Sequence, residues 1–317
     1  MLVGAPRAWV GALSAAFPDI DYLLNWVDPV VYLDLHRGPT HSLLWMPLWA
    51  LLLSIVLHVL TQRRYSFLAL FQVCVLGISI HIMGDVITVY GTRIWVPVHD
   101  AAVTLSTTFI IDLIFTGIIV AGLLAGIRLN ARRSARSALA ILIVYVTLQA
   151  WLHSEAVDIA RRYADTLPGN DTVHYAIPQP LSPLHWKLVV VEGDLYHEAY
   201  VKLYGQPIAL AGDGWLRNIL ASYLPPGELQ WTRINRWGND RSTEQIARKV
   251  FLLPGLESFR RFAVLPVLYR ADNGDCLWFT DLRFIIADMT PPFRYGLCQE
   301  QVTSEWTLRR LPRLEKQ

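Results

Sequence analysis

Long apolar stretches fill the first half of the chain and stop at about residue 155. Four of them carry almost no charge: residues 42–60, 67–87, 109–127 and 138–153. At a rise of about 1.5 Å per residue, the first three can cross a hydrocarbon core of about 30 Å, and the fourth is marginal. A shorter stretch at 2–17 is interrupted by Arg7 and lacks the features of a secretory signal. The pattern predicts four to five transmembrane helices.

The second half has the pattern of a folded water-soluble domain. Alternating apolar residues predict two hairpins, one with strands at 186–191 and 196–203 and one with strands at 262–269 and 276–286. Asn273-Gly274 favours a tight reversal in the second hairpin, because both residues tolerate positive φ. Helices are expected at 213–223 and at 242–251, the latter with a capping box from Ser242 to Gln245. We therefore predict an α-helical integral membrane bundle in residues 1–154, followed by a soluble α+β domain in residues 155–317.

Composition supports the membrane assignment and excludes one class of partner. Hydrophobic residues make up 53% of the chain and charged residues 17%, whereas soluble domains carry about 25% charge. There is no basic patch with interleaved aromatic residues, so nucleic-acid binding has no support. Of three cysteines, Cys74 lies in an apolar stretch. Cys276 and Cys298 can form a disulfide in an oxidising compartment or remain as two buried thiols.

The arginines predict the orientation in the membrane. Arg63 and Arg64 follow the first long stretch, four arginines lie in 128–137, and the intervening loop 88–108 has only Arg93. Cytoplasmic loops are rich in arginine and lysine. Loops 61–66 and 128–137 are therefore predicted to be cytoplasmic. The domain from residue 155 onward is then extracytoplasmic, and the chain is a multi-pass protein of a bacterial inner membrane.

Ionisable residues inside an apolar helix are costly, so their presence indicates a function. His81 and Asp85 are four residues apart and share one helix face. The predicted topology brings further polar residues to the same outer face: Asp19, Asp21, His36, His41 and Asp112. This convergence is the strongest indication of a site in the sequence.

Imidazole and carboxylate groups together suit a divalent transition metal, and we expect zinc or manganese. The expected ligands are His36, His41, His81 and Asp85. Asp19 and Asp21 can bridge a second ion or act as a general base, and Arg37 can contact a substrate phosphate. Thr88 and Asp112 are expected to orient ligands by hydrogen bonds. Each residue also has an interpretation without a metal. His81 and Asp85 can form a structural pair, and His36 and His41 can be loop histidines that titrate in water. The aspartates can end or start helices, and Arg37 can anchor lipid headgroups.

Several motifs together resemble the YdjM-type bacterial inner-membrane, metal-dependent hydrolase family. They are Phe17-Pro18-Asp19-Ile20-Asp21, His36-Arg37-Gly38-x-Thr40-His41-Ser42, His81-x-x-x-Asp85-x-x-Thr88-x-x-Gly91-Thr92, Trp95-x-Pro97 and Phe109-Ile110-Ile111-Asp112. The resemblance covers about residues 10–125 and implies a membrane-bound hydrolase with these His and Asp residues as metal ligands. Family members begin with a further stretch containing a Thr-His pair. No such pair precedes Pro18, so we expect either an upstream start or the loss of one ligand.

Two functions follow from the sequence. The first is a metal-dependent hydrolase at the outer membrane face, acting on lipid-linked or phosphoester substrates, with membrane lipid as its partner. The second is a non-enzymatic membrane protein whose polar cluster is structural and whose exterior domain binds a partner. A transporter is less favoured, because the charges gather at one face rather than at the middle of the membrane.

Overall fold

The structure is a computed structural model that describes residues 5–169, 171–206, 214–272, 275–287, 289–299 and 306–311. The chain forms two compact units, one ending at Leu105 and the other beginning at Ser106. The boundary predicted from composition, between residues 154 and 155, falls inside a helix of the second unit. Compactness and composition therefore divide the chain at different points.

The first unit is helical. Its helices are α1 (Ala5–Ala16), α2 (Leu24–Val27), α3 (Pro29–Leu35), α4 (Met46–Leu60) and α5 (Phe67–Val86), with 3-10 turns at Phe17–Leu23 and Pro39–His41. Helix α5 packs against both α1 and α4. Gly77 allows the close approach of α1, because a Cβ atom there would lie 2.7 Å from the Cβ atom of Ser14. Buried Leu57, Leu70 and Ile78 fill the interior of this unit.

The N-terminal region has two to three candidate membrane spans. Among the described residues, α5 and α7 (Ala131–Ala164) are long and apolar enough to cross a membrane. A third span exists if Pro29–His41 and Met46–Leu60, which are bent by 83°, count as one. Helix α6 (Leu113–Arg128) is apolar but shorter. The stretch predicted at 42–60 is helical only from Met46, because Ser42 begins an extended connection after the 3-10 turn.

Helix α7 is much longer than the marginal stretch predicted at 138–153. Asn130 caps its start by accepting a hydrogen bond from the Arg133 amide. From Leu152 onward the helix packs against strands of the second unit through buried residues spaced four apart: Leu152, Ala156, Ala160 and Ala164. Helix α7 therefore continues beyond its apolar stretch because buried residues recur at helical spacing along one face.

Two four-stranded antiparallel sheets complete the second unit. The first has the order β1 (Thr172–Pro178), β2 (His185–Glu192), β3 (Leu195–Lys202) and β4 (Thr232–Asn235). The second has the order β5 (Pro266–Asp272), β6 (Cys276–Asp281), β7 (Tyr295–Gln299) and β8 (Trp306–Arg310). Three helices lie among these strands along the chain. Helix α8 (Trp215–Ala221) lies between β3 and β4, and α9 (Arg241–Phe251) and α10 (Glu257–Phe262) lie between β4 and β5. Both predicted hairpins are confirmed as β2–β3 and β5–β6.

Some local predictions were wrong. Asp240, not Ser242, caps α9 by accepting a hydrogen bond from the Thr243 amide. The first strand of the second hairpin begins at Pro266, since residues up to Phe262 form α10, and its second strand ends at Asp281, whose carboxylate caps a 3-10 turn. The predicted turn pair Asn273-Gly274 and the predicted helix start at residue 213 lie outside the described residues.

Cys276 and Cys298 form a disulfide. They lie directly opposite each other on β6 and β7, with their Cα atoms 4.0 Å apart. Cys74 is buried and carries a free thiol. Of the two alternatives left open by the sequence, the structure has the bridged form.

Candidate metal centre

The candidate site lies in the first unit, where three short segments meet the end of α5. Asp19 and Asp21 belong to the 3-10 turn Phe17–Leu23, and His41 ends the turn Pro39–His41. His81 and Asp85 lie in the last two turns of α5. The chain between His36 and His41 reverses at Gly38, where a Cβ atom would lie 2.6 Å from Arg93 Nη2 and 2.9 Å from the Leu35 carbonyl. A glycine is therefore needed for the reversal that presents both histidines.

Four side chains converge on one point. Their facing atoms are Asp19 Oδ1, His41 Nε2, His81 Nε2 and Asp85 Oδ2. The separations are 3.1 Å for His41–Asp85, 3.2 Å for His41–His81, 3.4 Å for His81–Asp85, 3.5 Å for His81–Asp19 and 3.6 Å for His41–Asp19. Four ligands in a tetrahedron with bonds of about 2.0–2.1 Å are about 3.3–3.4 Å from each other. The separations of the two imidazoles from each other and from the two carboxylates are thus close to those between ligands of a zinc ion, and Asp19, His41 and His81 form a group that could hold one.

Hydrogen bonds place a hydrogen on Nδ1 of His41. Thr40 Oγ1 donates to the carboxylate Oδ2 of Asp21 at 2.9 Å, because a carboxylate only accepts. The same hydroxyl lies 3.0 Å from His41 Nδ1 and so accepts a hydrogen bond from it. A neutral imidazole with its hydrogen on Nδ1 has a lone pair on Nε2. In its neutral form, His41 therefore directs this lone pair toward the other three groups of the cluster.

Asp85 has one oxygen in an ion pair and one without a hydrogen-bond donor. Its Oδ1 lies 2.8 Å from Arg37 Nη2. Its Oδ2 is buried and, within the described part of the chain, has no hydrogen-bond partner, although His41 Nε2 is 3.1 Å away. An unsatisfied buried carboxylate oxygen is costly unless a cation binds it. The residues present therefore fit a bound metal ion.

Arg37 is directed into the protein. Its guanidinium bonds Asp85, donates to Thr88 Oγ1 at 2.7 Å and lies over the ring of Tyr90. Thr88 Oγ1 in turn donates to the backbone carbonyl of Asp85 at 2.8 Å. Thr88 therefore lies beside Asp85, as expected for a residue that orients it. The contact of Arg37 with a substrate phosphate stays a prediction.

Asp21 and His36 form a second arrangement beside the first. His36 Nδ1 donates to Asp21 Oδ1 at 2.9 Å, and Asp21 Oδ2 also accepts from the Arg37 amide at 3.1 Å. The His36 ring stacks on Tyr32, with centroids 4.6 Å apart. Ligand atoms of Asp19, Asp21 and His36 lie within 4.8 Å of one another. Asp19 is thus shared between two groups that could each hold an ion.

Asp19 is the most exposed member of the cluster. Its side chain is 55% exposed, whereas those of His41, His81 and Asp85 are at most 15% exposed. Asp19 is therefore the ligand at the side of the centre that is open to solvent.

Asp112 lies in the second unit. Its carboxylate caps α6 by accepting from the Phe115 amide at 2.8 Å, and it also accepts from Tyr145 Oη and Gln149 Nε2, both at 2.8 Å. The partners Tyr145 and Gln149, four residues apart on α7, were missed in the sequence. Their spacing was the available signal, since residues four apart share a helix face.

Thr40 and Tyr90 were missed as members of the first unit's site. Thr40 stands next to His41 in the chain, but its bond to Asp21 joins residues 19 positions apart. Tyr90 contacts both His36, with ring centroids 5.2 Å apart, and the Arg37 guanidinium. No sequence spacing indicates either contact.

Comparison with known proteins identifies the membrane region. Residues 3–156 match the family model described as YdjM inner membrane protein. A stretch of 76 residues is 32% identical to the uncharacterized protein YfhP of Bacillus subtilis (strain 168), which amounts to 24% of this chain and 23% of that protein. The chain thus matches less than a quarter of the length of this curated relative. No solved structure gives a significant match.

Proposed function

We propose that this chain, whose residues 3–156 belong to the YdjM inner membrane protein family, is a metal-dependent hydrolase. The observation that carries this proposal is that the Nε2 atoms of His41 and His81 lie 3.2 Å apart and each lies 3.1 to 3.6 Å from a carboxylate oxygen of Asp19 and of Asp85. Zinc or manganese, when bound by them, would act as a Lewis acid and make water more nucleophilic. Substrates would be lipid-linked molecules or other phosphoesters.

The contacts support particular roles for the protein groups. His41, His81 and Asp85 would hold the ion from the protein side, and Asp19 would hold it from the side open to solvent. Asp21 positions His41 through Thr40, and Arg37 with Thr88 positions Asp85. The carboxylate of Asp19 or Asp21 can accept a proton from water during hydrolysis. His36, bonded to Asp21, is available for a second ion shared through Asp19.

Removing His81 tests the metal. We expect purified wild-type protein to hold about one ion per chain and His81→Ala to bind it at least about 100-fold more weakly, since an imidazole ligand is lost. Metal content after dialysis, measured by mass spectrometry, gives the result. His58→Ala is the matched control, because His58 Nδ1 is bonded to the Tyr65 carbonyl at the other end of α4. Equal and negligible metal in all three proteins contradicts the proposal.

We also propose that the chain crosses the inner membrane several times, with its C-terminal domain outside the cytoplasm. The arginine-rich loops at 61–66 and 128–137 support this orientation. The bridge between Cys276 and Cys298 supports it independently, since disulfides persist in oxidising compartments.

Thiol labelling tests this orientation. In intact spheroplasts, a membrane-impermeant maleimide should label the protein only after treatment with a reductant, because the C-terminal thiols are outside and bridged. A Cys276→Ser/Cys298→Ser variant should not be labelled under either condition, because Cys74 is buried. Labelling of Cys276 or Cys298 only after the membrane is broken contradicts the exterior location.

A structural role is the second candidate, and one observation favours it. The Arg37–Asp85 ion pair and its hydrogen bonds with Thr88 join the His36–His41 segment to α5 through protein groups alone. If this were the whole function, the exterior domain would bind a partner and no metal-dependent turnover would be measured.

A further inference from the structure

The segment from Ile20 to Leu35, which carries one side of the metal centre, has an unusual surface. Trp26 is 76% exposed and Val27 is 83% exposed. Five more apolar or aromatic side chains on the same short stretch are also exposed: Ile20, Tyr22, Leu23, Val31 and Leu35. Soluble proteins rarely expose contiguous apolar patches larger than a few hundred Å². Something other than water must cover this surface.

The inner face of the segment buries a hydrogen-bonded charged group beside the apolar side chain of Leu33. Asp21 is buried and bonded to His36, while the buried ring of Tyr32 stacks on the same imidazole. A helix that borders water has the opposite arrangement, with charged groups outward and apolar groups inward. The 20–35 segment therefore has the polarity expected of a chain that borders lipid.

The lipid bilayer is the occupant that the surroundings favour. Helix α4, which follows the 83° bend in the chain, also exposes apolar side chains: Leu48, Leu51, Leu52, Ile55, Val56 and Val59. Tryptophan and tyrosine are enriched where a protein crosses from acyl chains to headgroups. Asp28, exposed beside Val27, caps α3 and suits the headgroup level. This combination of aromatic, aliphatic and charged groups is typical of a segment that lies at the membrane interface.

We propose that the 20–35 segment inserts Trp26 and Val27 among the lipids of the outer leaflet, so that the metal centre opens toward the bilayer. Asp19, the open-side ligand, directly precedes Ile20 in the exposed surface. The group that can reach Asp19 from the bilayer is the headgroup of a lipid. The substrate class is then a lipid phosphoester rather than a soluble phosphoester. This second step rests on the proposed function, whereas the insertion does not.

Spin labelling measures the insertion directly. Nitroxide-labelled Val27→Cys protein in vesicles should collide often with oxygen, which concentrates in lipid, and should be protected from chromium oxalate, which stays in water. Leu252→Cys is the matched control, since Leu252 is 71% exposed in the strand-rich region. Its label should show the reverse preference, and labelled wild-type protein gives the background from Cys74. Equal access of chromium oxalate at both positions overturns the insertion, whether or not the protein binds metal.

Turnover tests the substrate class. Long-chain phosphatidic acid in vesicles and its short-chain soluble form are the two probes. Trp26→Ser/Val27→Ser should lower the long-chain over short-chain ratio of kcat/KM about 10-fold or more, because two buried apolar side chains are lost from lipid. An unchanged ratio, or no turnover of either form, overturns the substrate class. The metal content of His81→Ala decides separately whether the proposed function itself has failed.

Discussion

Asp85→Asn is expected to lower the free energy of unfolding by about 3–5 kcal/mol, even with a chelator present, and to abolish metal binding. Asparagine keeps the size of the side chain but removes its charge. The guanidinium of Arg37, buried and 2.8 Å from Asp85 Oδ1, then has no counter-ion in that contact. Hydrogen bonds to Thr88 and to the Asp85 carbonyl remain, but a buried charge without a partner costs several kcal/mol.

The experiment separates the ion pair from the metal. Unfolding in detergent with a chelator measures the ion pair alone, and metal content without the chelator measures the site. Asp28→Asn is the matched control, because Asp28 is an exposed cap of α3 and asparagine caps a helix equally well. Arg37→Met/Asp85→Asn should recover most of the stability, since both charges are gone. A loss below about 1 kcal/mol in Asp85→Asn would contradict a buried, strongly coupled pair.

The sequence predicted the metal centre because two of its residues are close together in the chain. His81 and Asp85 are four residues apart on α5, so helical spacing alone puts them together. His41 was expected as a ligand, and its Nε2 lies 3.2 Å from that of His81. Asp19 was expected as a bridging group or base, but its Oδ1 lies beside both imidazoles. The distinction between Asp19 and Asp21 depends on contacts over 15 to 62 positions of chain, which spacing does not encode.

The same limit explains the differences in the fold. The period of small residues that extends α7 to Ala164 is visible in the sequence, but the strands it packs against are distant in the chain. The reversal at Gly38 depends on its close contact with Arg93, which lies 55 positions further along the chain. The disulfide depends on the register that sets Cys276 opposite Cys298. Strand register is a tertiary property, so the sequence left both the bridged and the free thiols open.

Lys187→Met is the second change with a large expected effect. Lys187 lies on β2 with its side chain fully buried, and its Nζ donates to the carbonyls of Leu282 at 2.8 Å and Ile285 at 3.0 Å. It also forms an ion pair with Glu198 on β3. Burial lowers the pKa of Lys187, and the charge of Glu198 opposes that shift. One ammonium group thus joins the first sheet to the 3-10 turn that follows β6.

Methionine fills a similar volume but leaves these groups without a donor. We expect Lys187→Met to lower the free energy of unfolding by about 3–5 kcal/mol, because Glu198 keeps a largely buried charge and two carbonyls lose their hydrogen bonds. Denaturant titration monitored by tryptophan fluorescence measures the change. Lys249→Met, on the exposed side of α9, is the matched control and should change stability by no more than about 0.5 kcal/mol.

The double variant Lys187→Met/Glu198→Gln identifies the cause. If the uncompensated carboxylate dominates, replacing it by a neutral amide should restore at least about half of the lost stability. Tyr200, whose hydroxyl donates to Glu198 Oε1 at 3.1 Å, can donate equally to the amide oxygen of glutamine. If the double variant is as unstable as Lys187→Met alone, the two carbonyls of Leu282 and Ile285 account for the loss. The lysine then acts mainly as a hydrogen-bond donor that holds the turn after β6, and its charge is secondary.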